Sequence, residues 1–232
     1  MHPSPFSLTD TTSGIRLENI TLQRGNTMVF QHLSLHLTQE RIGLIGDNGA
    51  GKSSLFRLIC GLDLPQSGTV IHPNGPHSVG MLFQNPDEQI IFPTVEEELA
   101  LSLNHLKLTR AQAQTQVRDW LKSRGLADWA SRAVGSLSQG QRQHVCWLAL
   151  IIASHHTLLL DEPYSSLDLP NQGLLHRDIE QAKEQIIVST HVLNHVRHFD
   201  RVIWLDKGKV RADGKGHVVC AAYEADVASR TA

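Results

Sequence analysis

Gly46-Asp47-Asn48-Gly49-Ala50-Gly51-Lys52-Ser53 fits the phosphate-loop pattern G-x-x-x-x-G-K-[ST]. Its flanks fit as well. Arg41-Ile42-Gly43-Leu44-Ile45 is a short apolar run that reads as a buried strand, and Ser53-Ser54-Leu55-Phe56-Arg57-Leu58-Ile59 reads as the opening of a helix. Strand, glycine loop and helix together aim backbone N–H groups and a helix N-terminus at phosphate. In that arrangement Lys52 reaches the β- and γ-phosphates, and the Ser53 hydroxyl takes one position on Mg²⁺. The bland alternative is a glycine-rich turn that happens to carry Lys-Ser, and the flanking strand and helix weigh against it.

The rest of the chain reads as α/β around this loop. Residues 15–20 and 33–37 alternate apolar and polar, as half-exposed strands do, with Arg24-Gly25-Asn26 as the turn between them. Further strands fall near 68–71 and 79–83. Thr94 caps a helix with Glu96, Glu97 and Glu98 in its first turn, and a second helix spans about 110–124, closed by Gly125. No strand separates these helices, so residues 85–136 read as a helical subdomain inserted in the core. Beyond it, a helix covers about 141–153, a strand 157–160, a helix 171–183, a strand 185–189, a helix 192–198 and a strand 202–205, with a hairpin turn at 207–209. Residues 1–14 read as a loose tail, 15–214 as one domain, and the weakly patterned 215–232 as a short C-terminal tail.

Composition bounds the function. The 232 residues are 41% hydrophobic and 19% charged, ordinary for a globular chain with a good core. A net charge of −2 argues against an electrostatic nucleic-acid binder. Three widely spaced cysteines without C-x-x-C suit a reducing compartment. The longest apolar run, 145–153, is too short to span a bilayer, and the N-terminus lacks the basic and apolar regions of a secretory signal. Work at a membrane would require a partner.

Leu158-Leu159-Leu160-Asp161-Glu162 is an apolar strand ending in two carboxylates. In a parallel sheet such groups gather at the carboxyl ends of strands, beside the phosphate loop. Asp161 can hold the Mg²⁺ shell while Glu162 points at a water near the γ-phosphate. Leu137-Ser138-Gln139-Gly140-Gln141 precedes a helix, with Ser138 and Gln141 spaced for a capping box. A cap alone would explain that string; beside two nucleotide motifs it says more.

With these motifs on one chain, the sequence resembles the nucleotide-binding subunits of ABC transporters. The signature string there is L-S-G-G-Q, and Gln139 replaces its first glycine. The motifs occur in the family's order: the loop at 46–53, Gln84, the signature at 137–141, Asp161-Glu162, Ser165-Ser166-Leu167-Asp168 and His191. The resemblance implies an α/β phosphate-loop core with an antiparallel β subdomain and an inserted helical subdomain. It also implies a head-to-tail homo- or heterodimer with two ATP molecules at the interface. Asn48, Gly49, Gly51, Lys52, Ser53 and Ser54 would bind ATP from one subunit, and Ser138, Gly140 and Gln141 the γ-phosphate from the other. Asp168 would line the dimer seam. Ser53, Gln84 and Asp161 would serve Mg²⁺. Glu162 would orient or deprotonate the attacking water, His191 would contact it and the γ-phosphate, and Gln84 would link the Mg²⁺ site to the helical subdomain. One departure stands out: where the family places an aromatic residue to stack on adenine, this chain has Arg24, whose guanidinium can also lie on a π-face.

The stretch 83–95, Phe-Gln-Asn-Pro-Asp-Glu-Gln-Ile-Ile-Phe-Pro-Thr-Val, resembles the energy-coupling-factor ATPases that drive uptake of vitamins and of cobalt or nickel ions. There it implies a groove near Asp87, Glu88 and Gln89 that receives a transmembrane scaffold subunit, with a separate membrane subunit capturing the substrate, at the cytoplasmic face of the membrane. Asp47-Asn48-Gly49 and the short tail look most like biotin-type ATPases, with cobalt-type as the near alternative. A soluble ABC-type ATPase acting on DNA or ribosomes is the contrasting reading. It lacks the long coiled coil of the former and the second cassette of the latter. A phosphate-loop kinase or GTPase leaves the signature unexplained, and no N-K-x-D string is present. His191, His195 and His198, at i, i+4 and i+7, would share a helix face suited to Zn²⁺, but no H-E-x-x-H or cysteine accompanies them.

Overall fold

The computed structural model describes residues 14–165 and 167–231. Residues 1–13 of the expected tail at 1–14, and Ser166 of the 165–168 string, lie outside them. Strands β1 (Ile15–Arg24) and β2 (Thr27–Leu37) form an antiparallel ribbon, and β4 (Ser67–Ile71) joins β1 to make a three-stranded sheet ordered β2-β1-β4. The second sheet, of six strands, runs β5-β6-β7-β3-β8-β9. It comprises β3 (Arg41–Ile45), β5 (Val79–Leu82), β6 (Thr157–Asp161), β7 (Gln185–Ser189), β8 (Arg201–Asp206) and β9 (Lys209–Gly214). All its pairings are parallel except the β8–β9 hairpin.

The central strands β6, β7, β3 and β8 are buried on both faces, which is why their sequences are continuous apolar runs rather than alternations. The period of two still sorts their side chains. Ile42, Leu44, Leu159, Ile187, Ile203 and Leu205 face the core that holds α1 (Lys52–Ile59) and the three-stranded sheet. Leu158, Leu160, Ile186, Val188, Val202 and Trp204 face the opposite core, with the remaining helices. β3 sits between β7 and β8, so the loop that follows it emerges mid-sheet beside the carboxyl ends of its neighbours.

The helical layer consists of α2 (Val95–Leu101), α3 (Arg110–Ser123) and α4 (Gln139–Ile152). Thr94 caps α2, Thr109 closes a capping box on α3, and Ser138 with Gln141 closes one on α4. Arg118 Nε lies 2.6 Å from Glu96 and Arg110 pairs with Glu97, tying α3 to α2. Glu98 is buried, and its Oε2 accepts from the N–H groups of Ile91 and Phe92 at 2.9 and 2.8 Å. α5 (Leu169–Gln181) begins at Asp168, whose Oδ1 accepts from Asn171 N at 3.0 Å.

Two expectations are corrected. Residues 192–198 form no helix: only a single 3₁₀ turn, Leu193–His195, is present. The apolar spacing of Val192, Val196 and Phe199 mimics a helix. Val196 instead drops against Gly43, where an added Cβ would lie 2.7 Å from its side chain, and the chain must reach β8 at once. The weakly patterned C-terminal stretch forms α6 (Gly216–Thr231). Its apolar signal is faint because few residues face inward. Val219 and Cys220 are buried, and Tyr223 meets the edge of Trp204 on β8 at 5.2 Å.

Candidate active site

The phosphate loop leaves β3 at Gly46. Its φ is 142°, and a Cβ there would stand 2.1 Å from the Leu205 carbonyl oxygen, so only glycine fits. Gly51, at φ 109°, closes the loop against Phe30, where a Cβ would lie 2.8 Å from the ring. α1 starts at the next residue. Lys52 is only 8% exposed, and its Nζ donates to the carbonyls of Gly46 at 2.7 Å and Asp47 at 3.1 Å. Burial pushes the Lys52 ammonium below the usual lysine range, while the nearby Glu162, Asp161 and Asp47 carboxylates oppose that shift. A cation held by loop carbonyls and flanked by carboxylates is placed to meet an anion entering the loop.

Asp161 ends β6 and is buried. Glu162 follows with φ 48°, a left-handed conformation unusual for a glutamate, and its N–H donates to Ser189 O at 2.9 Å. This left-handed residue stands immediately after β6, which ends at Asp161. His191 Nδ1 lies 2.8 Å from Glu162 Oε2. Thr190 N donates to Leu44 O at 3.1 Å, which fixes the end of β7 beside the start of the phosphate loop. Gln84 is framed by its neighbour Phe83. The Phe83 N–H donates to Gln89 Oε1 at 3.2 Å, and its carbonyl accepts from Gln143 on α4 at 3.4 Å.

Asn48, Gly49, Gly51, Lys52, Ser53, Ser54, Gln84, Asp161, Glu162 and His191 all line one cavity of about 580 Å³. Gly46, Asp47, Val29 and Tyr223 complete its wall. Val29 and Tyr223 carry no motif. Tyr223 reaches Asp47 from 176 positions away, a contact no local pattern encodes. Arg24 is not in this wall. Its guanidinium pairs with Asp63, which also binds Arg57 at 3.1 Å, so charge holds the β1–β2 turn down on the chain that follows α1. The oxygen-only set of Ser53, Gln84 and Asp161 on one wall fits a hard divalent cation.

The signature residues lie elsewhere. Ser138 is exposed at the N-terminus of α4, with Gln141 N donating to its Oγ at 3.2 Å and Gln141 Oε1 accepting from its N–H at 3.0 Å. Gly140 lies against Asn171, where a Cβ would stand 2.6 Å from Nδ2, and Asn171 Nδ2 in turn donates to Asp168 Oδ1 at 2.6 Å. The structure therefore joins Ser138, Gly140, Gln141 and Asp168 into one surface, apart from the phosphate-loop cavity. Asp87 lies 2.9 Å from Arg142 Nε of its own chain, just beyond the signature. His191, His195 and His198 are not brought together. His195 packs against Tyr164 at a tilt, with ring centroids 4.1 Å apart, and His198 lies 3.3 Å from Glu180.

The motif order and this geometry agree with known proteins. The family model described as ABC transporter matches residues 30–165, more than half of the chain. The chain belongs to the ABC transporter family. Its relatives include the biotin transport ATP-binding protein BioM of Rhodobacter capsulatus, 42% identical over 90% of this chain and 93% of that protein. The energy-coupling factor transporter ATP-binding protein EcfA1 of Ligilactobacillus salivarius is 34% identical over 90% of this chain and 80% of its own length. The solved structure of cbiO1 from Clostridium perfringens, described as part of the ABC transporter complex cbiONQ, superposes with a TM-score of 0.76. It is 25% identical and covers 91% of this chain and 92% of that one. The chain is thus an ABC ATPase subunit of the energy-coupling-factor type. No helix among the described residues is long and apolar enough to cross a membrane.

Proposed function

We propose that this chain is the ATP-hydrolysing subunit of an uptake transporter for biotin, acting as a dimer whose ATP-driven closure powers a membrane partner. The substrate rests on relatives whose names state biotin transport. The chemistry rests on one observation above all: Glu162, immediately after β6 and paired with His191 at 2.8 Å, lines the same cavity as Lys52.

Phosphoryl transfer needs positioning and charge neutralisation more than covalent chemistry. The loop N–H groups, Lys52 and the α1 N-terminus bind the phosphates. Ser53, Gln84 and Asp161 would hold Mg²⁺, which neutralises phosphate charge when bound. Glu162 orients and accepts a proton from the attacking water, and His191, 2.8 Å away, holds the Glu162 carboxylate in place. Ser138, Gly140 and Gln141 serve the γ-phosphate bound by the other subunit, a second copy or a close relative, and Asp168 lines the seam. Gln84, tied through Phe83 to Gln89 and to α4, relays the state of the cavity to the surface around Asp87, Glu88 and Gln89. That surface docks the transmembrane scaffold, which holds the chain at the cytoplasmic face, while a separate membrane subunit captures the substrate.

A membrane pull-down from the native cell tests the assignment. A multi-span scaffold together with a biotin-binding membrane protein is the expected recovery. Ribosomal proteins, DNA, or no membrane partner would overturn the transport reading.

A further inference from the structure

Helix α6 grips the phosphate loop by one side chain. Tyr223 Oη donates to Asp47 Oδ1 at 2.6 Å, and Arg230 Nη1 lies 2.5 Å from Asp47 Oδ2. Positions i and i+7 share a helix face, so both groups reach the loop from one side. That face is braced in turn. Asp226 lies 2.9 Å from Arg230 Nε and 2.6 Å from Arg211 of β9, and the Arg211 guanidinium sits 4.5 Å over the Trp204 ring. The main chain of Asp47 has partners of its own: its carbonyl accepts from Lys52 Nζ and from Ala50 N, both at 3.1 Å. Asp47 therefore joins α6 to the lysine of the phosphate loop.

A carboxylate in a loop that must receive a polyphosphate repels its ligand. The grip answers this in two ways. The Arg230 guanidinium offsets the charge, and the two hydrogen-bonding partners turn both oxygens toward α6. The Asp47 carboxyl is held down to about 2, chiefly by Arg230 and then by Tyr223, so it is ionised and engaged at neutral pH.

We propose that Tyr223 and Arg230 are positioning residues for ATP binding, fixing the phosphate loop and Lys52 through the Asp47 side chain. The C-terminal helix thereby sets nucleotide affinity. This inference rests on the cavity being the ATP site.

ATP dissociation constants of the full chain, with turnover at saturating ATP and the melting temperature alongside, test it. Tyr223→Phe and Arg230→Ala are expected each to weaken ATP binding about 3- to 10-fold, the worth of one such hydrogen bond, with turnover at saturating ATP falling by less than the affinity does. Arg230→Lys is expected to recover most of the affinity. In an Asp47→Ala background the Arg230→Ala change is expected to add nothing. Unchanged affinity in Tyr223→Phe, which removes only one oxygen, overturns the proposal, as does a full additional loss in the Asp47→Ala background. Lys52→Ala serves as the reference. If it binds ATP like the parent, the site assignment itself fails; if it loses binding while Tyr223→Phe does not, the positioning role alone fails.

Discussion

The phosphate-loop end and the signature end of this chain carry motifs of equal clarity, yet they are built to different degrees. At the first, β3, β6 and β7 deliver Lys52, Asp161, Glu162 and His191 from three strand ends into one cavity. At the second, Ser138, Gly140, Gln141 and Asp168 are tied to one another by caps and by Asn171 but face no cavity of their own that holds Lys52 or Glu162. One region is a set of polar and charged groups around one cavity. The other is an exposed surface shaped by a capping box that leaves Ser138 at a helix N-terminus, where an anion is welcome. Under the proposed function, the cavity of one chain and the signature surface of another would complete each other in a head-to-tail pair.

Substitutions at the two ends are expected to separate nucleotide binding from turnover. The largest effect belongs to Glu162→Gln: steady-state ATPase activity falls by at least about 100-fold, while fluorescent-nucleotide titration shows ATP bound as tightly as before. A retained wild-type rate removes Glu162 from the chemistry. Ser138→Arg sharpens the contrast from the other end. Turnover is expected to drop about 10- to 100-fold, the loss of one charge-assisted hydrogen bond, yet the isolated chain is expected to keep its ATP affinity because Ser138 lies outside the proposed ATP cavity. Weakened binding at low protein concentration would break the comparison. His191→Ala is expected to slow turnover about 10-fold, less than Glu162→Gln, since the histidine holds the carboxylate rather than replacing it; single-turnover quench-flow reads this directly. Smallest is Arg24→Ala. With Arg24 held by Asp63 away from the cavity wall, ATP affinity by calorimetry is expected to stay within about twofold, and the half-exposed pair to contribute under about 1 kcal/mol to stability by urea titration.

The same contrast marks what could be read in the chain. The phosphate loop, its flanking strand and helix, and the carboxylates after β6 were legible because each depends on local period and spacing: glycines where φ is positive, apolar runs where a parallel strand is buried twice. The caps at Thr94 and Ser138 are likewise written within three or four residues. Long-range closure was not legible. Tyr223 completes the cavity from a helix whose inward face is only a few residues wide, so α6 gave a faint pattern. Arg24 sits at the right turn, but its partner Asp63 is 39 positions on, and an ion pair across that span leaves no local mark. The stretch at 192–198 shows the converse: helical spacing of apolar residues, overridden because Val196 must fill the space beside Gly43 before β8 begins.

The central claim, that a working site is made from the cavity of one chain and the signature surface of another, is tested most directly by sedimentation velocity of the Glu162→Gln chain with and without ATP. A monomer is expected without nucleotide and a dimer with it. Ser138→Arg or Lys52→Ala, added to Glu162→Gln, is expected to return the chain to monomer. A chain that binds ATP and stays monomeric, or that dimerises equally with Ser138→Arg present, would contradict it.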